Sequence, residues 1–179
     1  MIHHVRRSRF FRNREIPNFI PSWIANNIKF PRTQSGFKRN AVNYSRIALA
    51  SLGATVAYFV YGFAIFGALP GMKSEFMKYP NVYRSHDGIM KVMPYGTVAI
   101  LISIVVVAVL YAKIYPAGGD IASGVYLGAL IGIFSVCTFV IHNYVNLNIG
   151  LRLTLYQGIA YFFQWVIVGA AISLIYKPS

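Results

Sequence analysis

Gly124-Val125-Tyr126-Leu127-Gly128-Ala129-Leu130-Ile131-Gly132-Ile133-Phe134-Ser135-Val136-Cys137-Thr138-Phe139-Val140-Ile141 contains no charged residue. A helix rises about 1.5 Å per residue, so this stretch approaches the ~20 residues needed to cross a hydrocarbon core. Glycine recurs at every fourth position, at Gly124, Gly128 and Gly132, which places all three on one helix face. Such a stripe lets a second backbone approach closely, and in lipid close packing rather than water release drives helix association. The stripe therefore predicts a packing seam within a membrane bundle. A seam against another subunit, or a flat wall beside a bound lipid or pigment, would use the same residues.

Three further stretches share this character, at about Ile47–Leu69, Tyr95–Ala112 and Leu153–Tyr176, and every Lys, Arg, Asp and Glu falls outside the four. The expected fold is all-α: four transmembrane helices in an antiparallel bundle (residues 47–179) behind a basic N-terminal arm (1–46). A charge at the bilayer centre costs at least ~2.5 kcal/mol and is kept there only for function, so charge-free spans argue against an ion-coupled carrier or pump. With 179 residues and four spans, little chain remains for a separate soluble domain. The single Cys137 precludes an intramolecular disulfide.

Arg6, Arg7, Arg9, Arg12, Arg14, Lys29, Arg32, Lys38, Arg39 and Arg46 place ten of the 17 basic residues ahead of the first span. Four spans return the chain to the side it started from, so Lys113 and Lys177 join them, against Lys73, Lys78, Arg84, Lys91 and Arg152 opposite. The positive-inside rule then predicts both termini in the cytoplasm of a bacterium, with the matrix side of a mitochondrial inner membrane as the alternative. The Arg-rich, acid-poor opening resembles a presequence, whereas scarce serine and Pro17 argue against one.

Within the arm, Ser22 caps an expected short helix that Pro31 stops. Trp23, Ile24 and Ile28 share one side of it, as in a helix lying in the headgroup layer with tryptophan as its anchor. The expected partners are anionic lipid headgroups at the arm and other membrane protein subunits. A membrane-tethered polybasic segment is explained by these without nucleic acid.

Pro70 to Met93 reads as the longest connection, solvated, with a short surface helix near Ser74–Tyr79. Glu75, His86 and Asp87 lack a metal-ligand spacing, so no metal is expected. The Pro116-Ala117-Gly118-Gly119 turn predicts that spans two and three are antiparallel neighbours.

His142 and Asn143 end the third span, and Gln157 and Gln164 stand one heptad apart on the fourth. An amide or imidazole in hydrocarbon must find a hydrogen-bond partner, so these four are expected to face the interior or contact a ligand. His142 could hold a haem or chlorophyll metal, but there is no second membrane histidine to complete a bis-His site; a bond to a carbonyl or water is the simpler role. No cofactor is predicted, and no nucleophile and base at matching depth suggest an enzyme.

From Ala57 onward, Ala57-Tyr58-Phe59-Val60-Tyr61-Gly62, Tyr115-Pro116-Ala117-Gly118-Gly119 leading into Gly124–Gly132, and Gly169-Ala170-Ala171-Ile172-Ser173-Leu174-Ile175-Tyr176-Lys177-Pro178 resemble a loose group of small four-span bacterial membrane proteins classed as domains of unknown function. The resemblance implies a compact four-helix architecture in a bacterial inner membrane and no assigned activity. The long basic arm departs from that group. So do Val136, Cys137 and Phe139, which stand where some members carry polar residues. Both departures favour a docking role: an accessory or structural subunit of a larger respiratory, photosynthetic or transport complex. The alternative is a small carrier or lipid-handling protein working as a homo-oligomer.

Overall fold

A computed structural model of the chain describes residues 43–177. The arm helix, with Trp23, Ile24 and Ile28, lies outside the described residues.

Helix α1 (Tyr44–Gly62) starts at Asn43, whose side chain accepts a hydrogen bond from the Arg46 amide at 3.1 Å. It continues without a break into a π-helical turn, Phe63–Ala68, which Leu69 ends in extended geometry. Pro70 opens the short helix α2 (Pro70–Phe76), a position where its missing N–H costs nothing. The long helix α3 (His86–Ile114) begins at Ser85, whose hydroxyl accepts from the Gly88 amide.

Helix α3 thus begins nine residues before the expected span and carries Pro94 inside it. The Ser85 cap and Asp87 in the first turn set its start, and only the bond Pro94 would have donated one turn back is lost. The solvated connection shrinks accordingly to the residues between α2 and Ser85.

The turn to the third span uses Gly118 at φ 80°, a left-handed conformation that side chains resist. Asp120 then caps α4 (Ile121–Ser135), accepting from the Ser123 amide at 2.8 Å and the Ser123 hydroxyl at 2.6 Å. A second π-helical turn, Val136–Ile141, comes next, and α5 (His142–Asn146) completes this span. Helix α6 (Leu151–Ile175) is the fourth. The four long helical runs are each long and apolar enough to cross a membrane, and no strand occurs among the described residues.

The bonds that Asp120 accepts from Ser123 hold its carboxyl below the usual carboxylate range. A depressed folded-state pKa contributes stability that is present above the unfolded value and lost as pH falls through the folded one. The difference in thermal midpoint between the wild type and Asp120→Asn is therefore expected above pH ~4 and should vanish as the pH drops below the depressed value. A difference constant from pH 7 to 2 would contradict this account of the cap.

Helix α6 is the hub. It packs closely along α4 and along α1, while α3 leans on α1 and touches α6 much less. Gly53 of α1 lies by Ile175, and Tyr58 is edge-on to Trp165, so α1 and α6 are antiparallel. Gly124, Gly128 and Gly132 meet Gly169, Trp165 and Phe162 in reverse order, so α4 and α6 are antiparallel too. Tyr111 near the end of α3 stands edge-on to Tyr176, giving α3 the direction of α6. The four-helix expectation holds, with one correction: spans two and three hardly touch. Their tight turn brings two ends together, and the second span then packs on α1 while the third packs on α6.

The core between α1, α3, α4 and α6 comprises small residues at close crossings, Ala50, Ala54, Ala108 and Ala112, and large ones in the gaps, Ile104, Tyr111, Leu127, Trp165 and Ile172. A second cluster on the loop side joins Met72 to Ile149, Leu153 and Ala160. It fixes α2 against the start of α6.

Candidate functional site

The glycine stripe forms a seam within the bundle. Gly124, Gly128 and Gly132 are all buried or nearly so against α6. A Cβ on Gly128 would stand 2.5 Å from the Trp165 carbonyl oxygen and 2.9 Å from Val166 Cα, and one on Gly132 would stand 3.0 Å from the Phe162 carbonyl oxygen. The seam has a fourth member that the stripe did not reveal: Gly169 on α6 faces Gly124 and Gly128 backbone to backbone. It is a lone glycine in an apolar run, with no repeat to mark it.

Thr154, Gln157, Tyr161 and Gln164 recur at three- and four-residue steps and so share one face of α6. Gln164, 1% exposed, donates from Nε2 to the Tyr58 carbonyl oxygen at 3.1 Å, bridging α6 to α1. Gln157, 5% exposed, donates from Nε2 to the Tyr83 hydroxyl at 3.3 Å, bridging α6 to the first connection. Both glutamines therefore turn inward, as their chemistry requires. Each also keeps a buried Oε1 with no hydrogen-bond partner among the described residues.

Tyr161 stands between them, its ring 5.2 Å from that of Phe66 and 5.5 Å from that of Phe139. Those two phenylalanines belong to the two π-helical turns. Each turn inserts an extra residue into its helix and rotates the residues beyond it, so that spans one and three both present a ring to the same tyrosine. Composition gave no sign of this.

His142 and Asn143 do not join the amides. His142 is exposed at the end of the third span and Asn143 is half-buried. The π-helical turn just before them shifts the helical register, so the face that carries the glycines inward no longer carries His142 inward.

On the loop side, Glu75 is 4% exposed. Its Oε1 accepts from Lys78 Nζ at 2.7 Å and lies 3.3 Å from Arg152 Nε. Arg152 also donates to the Tyr156 hydroxyl and lies over that ring. Nearby, the Tyr79 hydroxyl accepts from the Gly150 amide at 2.9 Å. These contacts tie α2 to the start of α6. The expectation of a solvated Glu75 is corrected: α2 folds back onto the bundle and takes the carboxylate out of water. His86 and Asp87 remain outside, both almost fully exposed. Among the described residues no three His, Cys, Asp or Glu side chains gather as metal ligands.

Between the third and fourth spans a shallow groove of about 330 Å³ opens toward the bilayer, lined by apolar atoms of Ile133, Val136, Cys137, Gly158, Ile159 and Phe163. It lies where the π-helical turn meets Gly158.

Comparisons of the chain with protein-family models, with curated proteins and with solved structures return no match.

Proposed function

We propose that this membrane protein is a non-enzymatic accessory subunit that packs against a larger respiratory, photosynthetic or transport complex, docking through its basic arm and its outer helix faces. The observation that carries the reading is the open arrangement of spans two and three around the hub. Val98, Ile102, Val106 and Ile114 on α3, and Ile133 and Phe134 on α4, are left exposed as two separate apolar faces. Membrane interfaces form by such packing of apolar and small-residue surfaces. The apolar middles of the spans carry no charge, and their buried amides donate to the chain itself, which supports a scaffold over a catalyst. No cofactor belongs to this reading, although the outer faces leave room for a lipid or pigment.

The bacterial inner membrane, with both termini in the cytoplasm, is part of the same proposal, as is kinship with small four-span bacterial proteins; the mitochondrial inner membrane is the alternative. Among the described residues the two sides carry similar charge, Arg46, Lys113 and Lys177 with Asp120 against Lys73, Lys78, Arg84, Lys91 and Arg152 with Glu75 and Asp87. The orientation therefore rests on the basic residues before position 43.

Purification from native membranes in mild detergent is expected to bring down at least one membrane protein in fixed stoichiometry. A chain that migrates alone on native gels across several mild detergents would refute the proposal. A second reading, a carrier or lipid-handling homo-oligomer, draws support from the unpartnered Gln157 and Gln164 oxygens beside two π-helical turns. It predicts uptake or lipid scrambling above background in liposomes holding the purified chain; background rates in both assays would remove it.

A further inference from the structure

The groove beside Gly158 and the cation above it share one face of α6. Arg152 lies seven residues before Ile159, so it sits about 10 Å nearer the membrane surface along the same side of the helix. Leu155 and Phe163 continue that side, and both are exposed to the bilayer. Arg152 is itself 68% exposed. Its Nε is engaged by Glu75 and Tyr156 and its Nη2 by Tyr156, leaving Nη1 without a partner among the described residues. Glu75, Lys78 and Arg152 together carry one positive charge in excess. A guanidinium held in place at headgroup depth, with donors to spare, suits a phosphate.

From this juxtaposition we infer that the chain binds one anionic phospholipid, with its phosphate at Arg152 and one acyl chain in the groove between the third and fourth spans. This goes beyond the accessory-subunit reading and does not depend on it. The shape of the groove favours a lipid tail. It is lined by apolar atoms alone and holds about 330 Å³, room for a stretch of methylene chain, whereas a packed helix is about 10 Å across.

Charge also argues against a second copy of this chain. Two copies share one orientation in the membrane, so a twofold contact across the groove would bring both Arg152 side chains to the same level. Like charges facing across an interface oppose association.

The test uses the full chain, delipidated in detergent and titrated with phosphatidylglycerol or phosphatidylcholine while native mass spectrometry reads bound lipid. One phosphatidylglycerol per chain is expected to be retained in preference to phosphatidylcholine. Arg152→Gln should weaken that preference about fivefold, the share of one basic residue at an anionic lipid surface. Gly158→Leu should expel the lipid by filling the groove while leaving Arg152 in place. It has room to fold, since the nearest atom to a new Cβ is Val136 Cγ1 at 3.8 Å.

Equal retention of the two lipids would overturn the inference. So would phosphatidylglycerol binding indifferent to Gly158→Leu, which would assign the lipid to the basic arm. Oxidative Cys137–Cys137 cross-linking in native membranes would overturn it as well, since a second copy would then cover the groove.

Discussion

Leucine in place of Gly128 is expected to force the third and fourth spans apart and to destabilise the folded bundle by about 3 kcal/mol. The reason is geometric. The atoms a side chain would meet there, the Trp165 carbonyl oxygen at 2.5 Å and Val166 Cα at 2.9 Å, are backbone and cannot swing aside. Separated helices in a bilayer meet lipid rather than water, so the loss is one of packing contacts along the seam.

Even alanine should cost about 1 kcal/mol at this position. Gly158→Ala is the matched control and should be close to neutral, its nearest neighbour lying at 3.8 Å. Reversible unfolding in mixed micelles with increasing sodium dodecyl sulfate measures all three. A Gly128→Leu midpoint equal to that of Gly158→Ala would show that the seam is not what holds α4 to α6.

Removing Arg152 should cost more than removing the carboxylate it faces. Glu75 is the buried partner, with its side chain 5% exposed, while those of Lys78 and Arg152 are 55% and 68% exposed. Arg152→Leu strands a desolvated carboxylate on Lys78 alone. Breaking a buried pair costs roughly 3–5 kcal/mol in full, so the loss with one cation still present should be about 2 kcal/mol.

Glu75→Gln instead leaves two cations that return to water, for a loss of less than about 1 kcal/mol. The place to read this is hydrogen exchange across 70–83, where the link between α2 and α6 would open first. Equal protection in the two variants, or greater loss in Glu75→Gln, would contradict the burial argument.

What was legible in the sequence depended on how far each signal reached. Uncharged runs of membrane length announce themselves within one segment, and the triple glycine spacing marks its own face, so the spans and one side of the seam could be read directly. The partner face could not, because Gly169 is a single small residue among Ala170, Ala171 and Val168.

The π-helical turns were hidden for a different reason. Phe63–Ala68 and Val136–Ile141 have the composition of ordinary apolar helix, and the extra residue appears only in the hydrogen-bond register. That shift is also why His142, expected inside, lies exposed and Asn143 only half-buried. Gln157 and Gln164 lie on a helix with no such turn, and both are buried. Glu75 was misread because its second cation lies on another helix, far along the chain, and a charged residue in a connection ordinarily stays hydrated.

Because α6 is, among the described residues, the helix against which the third span chiefly rests, chain order governs assembly. A ribosome making this protein delivers the first two spans as a pair that can already touch through α1 and α3, then a third that finds little described surface on them to settle on. That third helix waits in the bilayer with its glycine stripe facing lipid until the fourth span emerges. Closure of the bundle therefore waits on the fourth span, and a chain stopped short of Leu151 lacks the surface that holds the third in place.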